Sequence, residues 1–135
     1  MDLSYGINLT TGFPPTINNY YAHTKRGVYI RSKGKEYREE VACDVRVQIP
    51  QLVSIGYSIF LSVVLYPPDR RVRDLDNYMK SLLDALTKAG VWDDDSCIDQ
   101  LHIYRGERVR GGLVKLRIAE CMPIVHSSLD LTDLI

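Results

Sequence analysis

The chain has 135 residues, with 17 basic and 17 acidic side chains and so no formal net charge. That length supports one domain, and a balance of zero does not by itself point to nucleic acid. The 45% hydrophobic and 25% charged content is that of an ordinary globular chain, which excludes collagen-like and low-complexity classes. Ser4 to Leu9 alternates weakly and fits a first strand. Phe13 to Tyr21 (FPPTINNYY) reads as a loop, because prolines bar helix and central strand and asparagines favour turns. Val28-Tyr29-Ile30 fits a short strand. A helix is expected from Lys33 to Val47, with Ser32 as N-cap, Tyr37, Val41 and Val45 inward, Cys43 as a further inward candidate, and Pro50 as its stop.

Leu52 to Tyr66 (LVSIGYSIFLSVVLY) is rich in β-branched and aromatic residues and is expected to be one long central strand, ended by Pro67-Pro68. Its inner face would carry Val53, Ile55, Tyr57, Ile59, Leu61, Val63 and Leu65. A second helix is expected from Asp76 to Lys88. Its buried stripe is Leu75, Met79, Leu82, Leu83 and Leu86. Asp76–Lys80, Lys80–Asp84 and Asp84–Lys88 are spaced for pairing along another face, and Gly90 suits the positive-φ stop. Ile98 to Tyr104 and Leu113 to Ala119 are expected to form a hairpin around the turn Arg108 to Gly112. The expected fold is a small α/β domain over residues 1–120, a mixed sheet with two main helices packed on it. Residues 121–135 form a C-terminal tail, read as a loose terminus with partner docking as the alternative.

No apolar run approaches the ~20 residues of a membrane span, and the opening MDLSYGINLT lacks the pattern of a signal peptide. A cytoplasmic setting follows as the expectation. Cys43, Cys97 and Cys121 contain no C-x-x-C pair, which argues against a disulfide framework and a cysteine zinc site. His23, His102 and His126 lack ligand spacing.

Charge is unevenly distributed. Arg70, Arg71 and Arg73 lead into Asp74-Leu75-Asp76-Asn77, and Asp93, Asp94 and Asp95 follow the second helix. If the junction at Leu75 is extended, Asp74 and Asp76 point the same way and reach one ion. Magnesium takes a few carboxylates and keeps several waters, so a third acid from the Asp93–Asp95 loop could complete a site. Lys80 would meet the phosphate, and the arginines would hold flanking phosphates. The structural alternatives are capping by Asp74 or Asp76, a solvated turn at Asp93–Asp95, and a helix-surface pairing for Lys80. The two acid groups stand at opposite ends of a helix about 20 Å long. They meet only if the loop after Gly90 folds back or a second subunit supplies one group.

The run DRRVRDLDNYMKSLLDALTKAGVWDDDSCID from Asp69 to Asp99 resembles the RusA family of Holliday junction resolvases. The likeness extends more weakly to Pro14-Pro15-Thr16 and Asn18 and to the last two strands. It implies a RusA-like, homodimeric, Mg²⁺-dependent endodeoxyribonuclease that makes paired nicks in four-way DNA junctions. Carried across, it implies Asp74, Asp76 and Asp95 as catalytic metal ligands and Lys80 as catalytic lysine. Asp94 and Asn77 would support them, and Arg70, Arg71 and Arg73 would bind DNA. Asp93 adds an acid to the family's pattern, which leaves a one-residue slip between Asp94 and Asp95 open. The alternatives are a flap or branched-DNA nuclease with the same centre, and a non-catalytic DNA-binding protein.

Overall fold

The computed structural model describes residues 6–56 and 58–122. Ser4, Tyr57 and the tail from Pro123, His126 included, lie outside the described residues. In chain order the elements are β1 (Ile7–Thr11), α1 (Ile17–Tyr20), β2 (Tyr21–Thr24), β3 (Gly27–Ile30), α2 (Ser32–Gln48), β4 (Ile59–Tyr66), α3 (Asp76–Lys88), the 3-10 turn Asp95–Cys97, β5 (Ile98–Arg105) and β6 (Leu113–Glu120).

Four strands form one sheet in the order β1-β6-β4-β5, and β2 and β3 form a separate hairpin. β4 is central. It is antiparallel to β6 (Leu61 opposite Ile118) and parallel to β5 (Leu61 opposite Leu101). Alternation puts Ile59, Leu61, Val63 and Leu65 on the same face as Val114, Leu116 and Ile118, all of them buried. Both long helices cover that face. α2 contributes Tyr37, Val41 and Val45, and α3 contributes Met79, Leu82, Ala85 and Leu86. Trp92 closes the core below α3, its indole donating to Thr87 Oγ1 at 2.7 Å.

α3 ends as expected. Gly90 has φ +83°, a value that costs a side-chain-bearing residue, and Val91 N then returns to Leu86 O. The unit β4–α3–β5 is a crossover between parallel strands. This geometry fixes the ends of the molecule. The Asp74–Asp76 segment sits where β4 finishes, and Asp93–Asp95 sits where β5 begins.

Five expectations need correction. Residues 98–105 and 113–120 are both strands, but they are not a hairpin. β4 lies between them, and the connection carrying Gly111-Gly112 crosses its end, with Gly106 N bonded to Leu65 O and Val109 N to Pro67 O. The central strand begins at Ile59 rather than Leu52. Both neighbours run out there, since Ile59 faces Ile98 on one side and Glu120 on the other. Ile55 keeps a single bridge to Trp92, and Val53 is exposed. Ser32 is the first helical residue of α2 rather than its cap, and Arg31 holds the cap position without a side-chain capping bond. Cys43 is exposed. The segment read as loop contains α1, capped by Thr16 through Asn19 N at 3.3 Å, and runs into β2.

Candidate metal and nucleic-acid site

Pro67 and Pro68 end β4, and the chain then turns tightly around the carboxylate of Asp69. That carboxylate accepts from Arg71 N at 2.9 Å, from the Arg71 guanidinium at 3.1 Å and 3.2 Å, and from Arg73 Nη1 at 2.6 Å. Arg73 first, then Arg71, hold the Asp69 carboxyl far below the usual carboxylate range. Arg73 also bonds Arg71 O at 3.3 Å and lies over the Phe13 ring at 5.8 Å, so it is half-buried and fixes the loop. The loop borders a cleft of about 400 Å³ lined by Arg70, Arg71, Arg73, Arg105 and Arg108. Arg105 Nη2 donates to Arg73 O at 2.5 Å, which ties the end of β5 to this loop. The sequence reading missed the place of Arg105 and Arg108. They come from the far side of β4, and only the crossing connection brings them here.

Asp74 and Asp76 follow at the start of α3, both exposed. Leu75 has helical angles, φ −60° and ψ −41°, so the junction is not extended and the expectation of a common direction loses its premise. Asp74 lies ahead of the cap, so neither strand nor helix periodicity sets its direction against Asp76. Capping is not what these acids do: α3 has no side-chain cap, and among the described residues neither carboxylate takes a hydrogen bond or an ion pair. Asn77 is half-buried, and its N–H bonds Asp74 O at 3.2 Å. Lys80, one turn on, is exposed. Its Nζ stands 5.9 Å from the centre of the Tyr21 ring. The expected Asp76–Lys80, Lys80–Asp84 and Asp84–Lys88 pairs do not form, and Asp84 pairs instead with Arg38 at 2.7 Å.

At the start of β5 the three adjacent aspartates have separate surroundings. Asp93 accepts from Ser54 Oγ at 2.6 Å. Asp94 accepts from Ser96 N at 3.1 Å and caps the 3-10 turn, and Ser96 holds its carboxyl below the usual range. The Asp95 carboxylate is exposed, with no partner among the described residues. A cleft of about 350 Å³ beside them is lined by Asp93, Asp94 and Asp99 with Ser58 and Cys97. Burial, followed by the carboxylates of Asp94, Asp95 and Asp93, pushes the Cys97 thiol up against an opposing backbone hydrogen bond.

Asp74 and Asp76 are thus separated from Asp95 by the length of an eight-residue strand, about 25 Å. Among the described residues of one chain no three His, Cys, Asp or Glu gather as a metal site. Folding back of the loop after Gly90 does not bring the two groups together, since Val91-Trp92 leads to Ile55 and then to the start of β5.

Residues 12–119 match the family model described as Endodeoxyribonuclease RusA. The chain belongs to the RusA family. Similar RusA proteins are named crossover junction endodeoxyribonuclease. The protein of Enterobacteria phage 82 is 36% identical over 115 residues, 84% of this chain and 93% of its own length. That of Escherichia coli (strain K12) is 35% identical over the same shares. That of Enterobacteria phage HK97 is 36% identical over 108 residues, 80% of this chain and 89% of its own. The RusA match begins at Gly12, just ahead of the Pro14-Pro15 segment, and ends within β6, so it spans both acid groups and the arginine cleft. No helix among the described residues is long and apolar enough to cross a membrane.

Proposed function

We propose that this RusA-family chain is a Mg²⁺-dependent endodeoxyribonuclease that resolves four-way DNA junctions by paired hydrolysis, acting as a homodimer. What carries the reading is the family match together with three exposed carboxylates, Asp74, Asp76 and Asp95, that the fold leaves without work of their own. They are hard oxygen donors of the kind Mg²⁺ prefers. When bound, the ion supplies polarisation of the phosphate and a water of lowered pKa. Lys80 offsets charge growing on the phosphate. Arg70, Arg71, Arg105 and Arg108 hold flanking phosphates, and Arg73 shapes the loop that presents them.

The separation of the acid groups fits a site shared between subunits. Asp74 and Asp76 of one protomer would join Asp95 of its partner. β5 is an edge of the sheet, with β4 on one side and no strand among the described residues on the other. Two such edges paired about a two-fold axis run antiparallel. The start of one β5, beside Asp95, then lies against the end of the other, beside Arg105 and the Asp74–Asp76 turn. Asp94, spent on its own turn, serves as support.

The test is incubation of a labelled mobile four-way junction with the protein, with and without Mg²⁺, beside a flap and a linear duplex. Symmetric paired cuts in the junction alone, dependent on the metal, are expected. Asp76→Asn is expected to lower single-turnover cleavage at least ~100-fold and to leave junction binding in place. Loss of binding together with cleavage would contradict the separate roles given to the acids and the arginines.

A further inference from the structure

Helical spacing pairs Lys80 with Asp84, one turn apart on α3. The structure spends Asp84 elsewhere. Its Oδ2 receives Arg38 Nη2 at 2.7 Å and Arg38 Nε at 2.9 Å, and the Tyr20 hydroxyl donates to the same oxygen. Arg38 Nε also lies 2.7 Å from the Tyr20 oxygen. Three elements, α1, α2 and α3, therefore converge on one carboxylate oxygen. Tyr20 is fully buried, and Arg38 is stacked against its ring at 5.5 Å. Gly34 lets the first turn of α2 come this close, because a Cβ there would stand 2.7 Å from Tyr20 O. Lys80 is left to Tyr21, whose ring lies under its ammonium.

A two-membered exposed pair on a helix surface is weak. A guanidinium that reaches one half-buried carboxylate through two nitrogens, with a phenol on the same oxygen, is stronger. Arg38 and Tyr20 therefore win Asp84, and the charge of the cluster is balanced without Lys80. We infer that Tyr20, Arg38 and Asp84 form a positioning device for Lys80. By occupying the carboxylate one turn on that Lys80 could fold onto, they leave its ammonium over the Tyr21 ring and free to meet the phosphate. The inference rests on the reading of Lys80 as the residue that meets the phosphate.

Removing the guanidinium leaves Asp84 charged and four residues from Lys80, so the lysine should close on it. Removing that charge as well should release the lysine again. Cleavage of a labelled four-way junction is measured under single turnover with saturating protein, beside the melting temperature. Lys80→Ala is expected to slow cleavage ~100-fold, and Arg38→Ala about tenfold. Arg38→Ala with Asp84→Asn is expected to recover most of the tenfold loss while melting as low as Arg38→Ala alone. A structural brace alone predicts no recovery, and a double variant as slow as Arg38→Ala overturns the inference. Full cleavage by Lys80→Ala would instead sink the reading of Lys80 beneath it. Tyr21→Leu supplies an arm that does not depend on Arg38→Ala folding. It should lose about as much rate as Arg38→Ala, and Tyr21→Phe, which keeps the ring and gives up only the hydroxyl facing Asp84 while Arg38 and Tyr20 still hold that carboxylate, should recover most of it. Equal loss in both tyrosine variants also overturns the inference.

Discussion

Asp93, Asp94 and Asp95 share a residue type and have different tasks. Ser54 holds Asp93, and Asp94 caps the turn, which leaves Asp95 for an external partner. Asp95→Asn is expected to lose cleavage at least ~100-fold with the melting temperature unchanged, whereas Asp94→Asn keeps a capping oxygen and should retain most activity. Single-turnover rates and thermal melts of the two variants check this, and the reverse order of effects would move the metal ligand by one residue. Asp84 contributes to the acid response beside Asp69 and Asp94, which are also depressed. Burial raises its carboxyl, and the hydrogen bonds of Tyr20, Arg38 and Tyr21 outweigh burial, so it lies below its ordinary value. A depressed carboxyl stabilises the fold fully above the unfolded value of about 3.9 and loses that contribution as pH falls through the folded one. Melting temperature should therefore drop as pH is lowered below about 4. Asp84→Asn should flatten that slope at the cost of a lower plateau at neutral pH.

At the level of elements, what the sequence disclosed depended on how local the signal was. α3 is bounded by residues that act within a turn or two, and both its ends were legible, as was its buried stripe at Met79, Leu82 and Leu86. Existence of the last two strands was legible from alternation. Their partners were not, since a Gly-Gly turn looks the same whether it reverses one strand onto the next or carries the chain past a third. The early start expected for β4 failed for a related reason. Leu52 to Ser58 has strand composition, but beyond the single bridge of Ile55 to Trp92 no strand among the described residues extends far enough to pair with it. In the site, composition pointed to the acids and arginines, while the commitment of Arg73 to Asp69 and of Asp84 to Arg38 depends on tertiary contacts. α3 offers its own check. Gly90→Ala forces a side chain into φ +83° and is expected to destabilise the protein by about 1 kcal/mol or more, read as a shift in the denaturant midpoint. Open space surrounds the position, so no clash contributes to that loss.

The whole molecule sets the harder constraint. A crossover between parallel strands must place the end of one strand and the start of the next at opposite ends of the sheet, so one RusA chain does not gather Asp74, Asp76 and Asp95 by itself. A two-fold dimer turns that constraint into a design for two sites, which suits a substrate that is itself nearly two-fold symmetric. Subunit mixing separates a shared site from a private one. Asp76→Asn and Asp95→Asn homodimers should each be inactive. In a mixed dimer, the Asp95→Asn protomer contributes intact Asp74 and Asp76, and the Asp76→Asn protomer contributes an intact Asp95. One complete site is thereby rebuilt, and the other carries both substitutions. Mixing the two variants with subunit exchange should restore single nicks to about a quarter of the wild-type site count at random assortment, without paired resolution. If each site is built within one chain, both protomers of the mixed dimer stay defective and no nicks appear. Nicked-circle formation on a supercoiled plasmid that extrudes a cruciform reads the difference directly.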